Sequence, residues 1–143
     1  MEALDITDVL GGVNVLQRKI ENKMDLIEIS RIGLTKDALI NLSKYLSLPV
    51  NRMADIIPIS EHTIQKYTSK KHFNRIVSEQ ILKIAEVVAK GYQVFEDKEK
   101  FISWINQPNK TFGNQSPLSL FNSSFGTDMV LDELGRIEHG VIS

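Results

Sequence analysis

Cysteine is absent from the 143 residues, so disulfides, thiolate nucleophiles and thiolate metal sites are excluded, in keeping with a reducing compartment. Proline is scarce, at four residues, and there is a single tryptophan. No apolar run approaches the roughly 20 residues that span a bilayer, so no membrane partner is expected. The opening residues Met1-Glu2-Ala3-Leu4-Asp5 put no basic region ahead of an apolar one, so no signal peptide is expected and the location reads as cytoplasmic. The formal net charge is only −1, which excludes a uniformly basic nucleic-acid binder.

Charge is unevenly spread. From Ser60 to Phe95, Lys66, Lys70, Lys71, Arg75, Lys83 and Lys90 outnumber Glu61, Glu79 and Glu86. From Glu96 onward acids prevail. A basic middle and an acidic tail point to two partners, one of them polyanionic.

The pattern predicts an all-α chain. Leu39, Leu42 and Leu46 recur at helical spacing behind Thr35, a suitable N-cap. Pro49 and Pro58 bracket a short helix, and Ser60 caps the next. Ile81, Ile84, Ala85, Val88, Tyr92 and Phe95 form one stripe of a long helix, with Gly91 ending or bending it. Phe101, Trp104 and Ile105 belong to the core of a further helix that stops before Pro108. A polar loop runs over 109–115, and Ser116-Pro117 opens another turn of helix. The last helix starts near Gly126, buries Val130, Leu134, Ile137 and Val141, and ends at Gly140. Leu26-Ile27-Glu28-Ile29-Ser30 alternates, which fits a short strand or a helix.

No enzyme signature is present. There is no phosphate-binding glycine loop and no nucleophile elbow. His62, His72 and His139 lack metal-ligand spacing, and Asp132, Glu133 and Glu138 read as a solvated helix face. Neither metal nor cofactor is expected, and the chain reads as a binding protein.

The segment Val50–Thr68 fits a helix-turn-helix. Met53, Ile57, Ile59, Ile64 and Tyr67 pack inward, with small Ala54 where the helices approach. Glu61, His62, Thr63, Gln65 and Lys66 then point outward, with Lys70, Lys71 and Arg75 beside the DNA backbone. The expected DNA-binding set is therefore Ser60, His62, Thr63, Gln65, Lys66, Lys70, Lys71 and Arg75. Pro58 stands where such turns often carry glycine, so the turn must differ in detail.

The C-terminal half carries Ser78-Glu79, Val94-Phe95, Trp104, Pro108-Asn109, Pro117, Gly126 and Arg136-Ile137-Glu138-His139-Gly140-Val141 in that order. This string resembles the Xre/MbcA/ParS antitoxins. Leu10-Gly11-Gly12, Arg31-x-Gly33-Leu34 and Ile59-Ser60-x-x-Thr63 extend the resemblance forward. His62 and Lys66 depart from it, standing where arginines are common, as does Phe121-Asn122. The resemblance implies an antitoxin of a type II toxin–antitoxin system. It would dimerise, bind operator double-stranded DNA of its own operon, and form a hetero-oligomer with a RES-type toxin that consumes NAD.

The implied layout is an N-terminal segment over 1–30 expected to dimerise, an Xre-like helix-turn-helix domain over 31–91, and a helical toxin-binding domain over 92–143. The toxin-binding set is Arg136, Ile137, Glu138, Gly140, Val141, Ile142 and Ser143. Arg136 offers a planar fork for a carboxylate or phosphate, unless it pairs with Asp132 or Glu133 on its own helix. Two other readings stay open at this stage. One is a stand-alone helix-turn-helix regulator without a toxin. The other is an interaction protein whose front half no longer binds DNA.

Overall fold

The computed structural model describes residues 4–140. Among these residues eight α-helices run in order: α1 (Ile6–Val9), α2 (Val13–Leu16), α3 (Lys23–Ile32), α4 (Lys36–Tyr45), α5 (Glu61–Lys66), α6 (Arg75–Phe95), α7 (Lys98–Asn106) and α8 (Ser124–Glu138). Three 3-10 turns, Val50–Asp55, Lys110–Phe112 and Pro117–Leu120, complete it. Among the described residues there is no strand, only isolated bridges at Thr35–His72 and Asn109–Gln115.

The helix starts follow from side-chain oxygens that accept orphan amide protons. Thr35, Ser60 and Ser116 cap as the sequence predicts. Leu26–Ser30 proves helical, because Asn22 and Asp25 form a reciprocal capping box that opens α3 just ahead of it. Helix α8 begins two residues earlier than Gly126, because Ser123 accepts the Gly126 N–H at 3.0 Å. The short helix expected between the two prolines is present as a 3-10 helix over Val50–Asp55, with i→i+3 bonds such as Ile56 N–H to the Met53 carbonyl.

Helix α6 organises everything else. Its 21 residues give a rod about 31 Å long. The expected single stripe is too narrow: Val77, Leu82, Val87 and Ala89 are buried as well as Ile81, Ile84, Ala85 and Val88. The reason is that α6 is covered from several sides, by α1, α3 and α4 and by α7 and α8. Its largest contact is with α8. The pairs Lys83–Asp128 and Lys90–Glu138 show that α6 and α8 run in the same direction.

Gly91 does not end α6, which continues to Phe95. Its role is to admit Phe101: a Cβ at Gly91 would sit 2.0 Å from the Phe101 ring. Phe101 and Ile105 are fully buried, whereas Trp104 is half-buried against Phe95, with ring centroids 5.5 Å apart.

The front-half motif Gly33-Leu34 acquires a structural meaning. Gly33 ends α3 at φ +94°, and a Cβ there would meet the Phe73 carbonyl at 2.2 Å. Leu34 exchanges backbone bonds with the α6 entry: its carbonyl accepts from Phe73, and its N–H donates to the buried Ser78 hydroxyl at 2.9 Å. The N-terminal segment packs on this frame through Val9 and Leu10, both fully buried. Arg18 bridges Asp25 and Glu28 at 2.5 Å each, holding the chain ahead of α3.

Candidate functional site

The first surface is built on α5. Ile64 of α5, Met53 of the 3-10 element and Ile57 just after it are buried, so the two short elements are held by their inner faces. Ala54, Ile59 and Tyr67 are half-buried, as an inward set requires. Asn51 donates its amide to the Glu61 carboxylate at 2.9 Å, tying the first element to the second. His62, Gln65 and Lys66 face solvent, and Thr63 is half-buried.

Ser60, Thr63 and Gln65 of the expected set find polar partners on this same face. The Ser60 hydroxyl accepts the Thr63 N–H at 3.1 Å and lies 2.8 Å from the Thr63 hydroxyl. The Gln65 amide donates weakly to Glu61 at 3.4 Å. Glu61 is therefore the organiser of this face, a role that sequence reasoning did not assign. The carboxylate also repels phosphate, which leaves cationic contact to Lys66 and the loop that follows.

That loop is well anchored. Asp37 and Lys36, at the start of α4, donate backbone N–H groups to the Ser69 and Lys71 carbonyls at 2.9 and 3.3 Å. The Lys36 ammonium donates to the Tyr67 carbonyl at 3.0 Å. His72 Nδ1 donates to the Gly33 carbonyl at 2.7 Å. Tyr67 stacks on Phe73, and Lys71 sits over the Tyr67 ring at 5.2 Å. Lys66, Lys70 and Lys71 thus lie exposed on or directly after α5, on a braced backbone. Arg75 is exposed as expected, and pairs with Glu79 one turn on at 3.5 Å.

The second surface is built on α8. Val130 and Leu134 are fully buried, while Ile137 is only half-buried near the helix end. Glu133 corrects the expectation of a solvated acidic face: it is 5% exposed. It lies one turn from Val130 and one from Ile137, so the helix turns it toward the core with them. Arg136 Nε stands 3.8 Å from it, a loose pair that leaves the arginine side chain 47% exposed.

Glu138 accepts from the Lys90 ammonium at 2.5 Å, and that bond holds its carboxyl below the usual glutamate range. The salt bridge also pins the end of α8 to α6. His139 and the exposed Gly140 close the helix. Val141, Ile142 and Ser143 of the expected toxin-binding set lie outside the described residues. Among the described residues no cluster of His, Asp or Glu is arranged to hold a metal, and no helix is long and apolar enough to cross a membrane.

A helix-turn-helix module followed by a small helical binding module defines the class of protein. Residues 25–86 match the antitoxin Xre-like helix-turn-helix domain, and residues 90–140 match the antitoxin Xre/MbcA/ParS C-terminal toxin-binding domain. An antitoxin Xre of Yersinia enterocolitica is 29% identical over 120 residues, covering 82% of this chain and 81% of the relative. An antitoxin Xre of Photorhabdus laumondii is 30% identical over 94 residues, covering 62% of this chain and 64% of the relative. The chain belongs to the Xre antitoxin family, whose members act by binding and are not enzymes.

Proposed function

We propose that this chain neutralises a RES-domain, NAD-consuming toxin and represses its own operon in the cytoplasm. As a homodimer, it would present α5 twice to a two-fold operator. Gln65 and Thr63 touch base edges, while Lys66, Lys70, Lys71 and Arg75 hold phosphates. The module split at 31–91 and 92–143 is retained as a division of labour, although α6 runs through it. The N-terminal residues up to 30 are assigned to dimerisation.

One observation carries the toxin-binding half of this reading. Arg136, within the segment that matches a toxin-binding domain, keeps its side chain half in solvent near the end of a helix pinned by the Lys90–Glu138 pair. A planar fork in that position suits a carboxylate or phosphate acceptor in a cleft that otherwise holds NAD. The end of α8 and the tail beyond Gly140 enter that cleft and exclude the dinucleotide.

The test is co-expression with the product of the neighbouring gene. The expected result is co-purification of the two proteins and relief of growth arrest. Unrelieved arrest, with no complex, would leave a stand-alone helix-turn-helix regulator.

A further inference from the structure

Helix α8 has an outer face that the described residues leave largely uncovered. Phe125, Met129, Asp132 and Arg136 stand at i, i+4, i+7 and i+11, within a sector of about 60° on the helix. Phe125 is 83% exposed and Met129 49% exposed, so neither belongs to the core. A phenylalanine left in water this completely has no folding role in the isolated chain. Aromatic and methionine side chains are enriched where protein partners bind.

We infer that Phe125 and Met129 are apolar anchors for the partner toxin, extending its binding surface along α8 from Arg136 back to the start of the helix. This rests on the reading of the C-terminal module as the toxin-binding one. Three observations choose the occupant. The anchors lie inside the segment that matches a toxin-binding domain. They share one helix face with Arg136, the residue assigned to the toxin, so the surface is continuous with that contact. Exposed Asp132 lies between Met129 and Arg136, and Asp128 is paired with Lys83, so the face carries no net positive charge with which to hold a nucleic-acid backbone.

The partner's surface is specified in turn. Phe125 and Arg136 are eleven residues apart, about 16 Å along the axis. The toxin should therefore offer a groove of about that length, apolar at one end and with a carboxylate or carbonyl acceptor at the other. The contact is then broader than a tail plugged into a cleft.

The experiment titrates purified full-length chain with the purified protein encoded by the neighbouring gene. Phe125→Ser, Met129→Ser and the double variant are compared with wild type and with Arg136→Ala, and operator binding and thermal midpoint are measured on each. Each serine should weaken toxin binding about tenfold, and the pair more, with operator affinity and midpoint unchanged. Phe125→Leu, which keeps apolar contact, should bind more tightly than Phe125→Ser. Toxin affinity equal to wild type in the double variant overturns the inference, while loss on Arg136→Ala alone preserves the antitoxin reading. A double variant that changes only the oligomeric state assigns the face to a second copy and overturns it too. No toxin binding by wild type removes the antitoxin reading and this inference together.

Discussion

Tyr92 sets its ring edge-on against Tyr45, with centroids 5.4 Å apart at 77°, and donates its hydroxyl to the Tyr45 carbonyl at 3.0 Å. Tyr45 ends α4 in the helix-turn-helix module, and Tyr92 lies in the last turn of α6, inside the toxin-binding match. The two modules are therefore joined by a polar bond within an aromatic cluster that continues to Phe101.

This pair gives stability an alkaline limit. Burial, and then the neighbouring Tyr45, push the Tyr92 hydroxyl from 10.0 up to about 12. The folded state holds the proton more tightly than the unfolded chain does, so the full stability is present below pH 10. It falls as the pH rises from 10 toward 12. Tyr92→Phe should cost about 1 kcal/mol at neutral pH through the lost hydrogen bond. It should also flatten the alkaline fall, as followed by urea unfolding at several pH values.

Operator binding should respond differently to the two kinds of contact. Lys70→Ala with Lys71→Ala should weaken binding to all sequences and lower the salt slope by about one per lysine. Gln65→Ala should instead relax the preference between sequences. Titrations of labelled duplexes across a salt series check both, and an unchanged slope in the double lysine variant would place the footprint elsewhere.

Neutralisation should depend on Arg136. Arg136→Ala, or truncation after Gly135, should abolish growth rescue while operator binding persists. Leaving a buried acceptor in the toxin unpaired is expected to cost a few kcal/mol. Both readouts are needed on the same protein, because loss of both would report unfolding.

Gly91→Ala should destabilise by about 1–3 kcal/mol through overpacking against Phe101. Adding Phe101→Leu should recover part of that loss, since it removes the atoms the new methyl meets. Thermal unfolding of the two single variants and the pair measures the coupling.

Much of this architecture was legible because it is written in local chemistry. Caps at Thr35, Ser60 and Ser116 and the apolar spacing of Val130 and Leu134 need no knowledge of neighbours. The inward set of the helix-turn-helix, led by Met53 and Ile64, was visible for the same reason. Other features depended on which elements meet. Burial of Glu133, the contact of Gly91 with Phe101, and burial of α6 on several sides are tertiary facts. Glu61 looked like one outward residue among five, and only the position of Asn51 reveals it as the brace of that face. Phe125 is not legible as an exposed side chain, because an aromatic in water breaks the periodicity by which helices are read.

Continuity of α6 has a consequence for how such proteins can be recombined. The modules share a rigid helix in place of a pliant linker, so their relative rotation is set by residue count. One residue inserted between Ala85 and Lys90 would turn the end of α6 by about 100° around the axis and advance it by about 1.5 Å, so α8 could no longer pair with Lys83 and Lys90 together. A chimera that takes its operator half from one relative and its toxin half from another must therefore be cut in helical phase. Among natural variants, length changes should collect in the connections after Phe95 and avoid the helix itself.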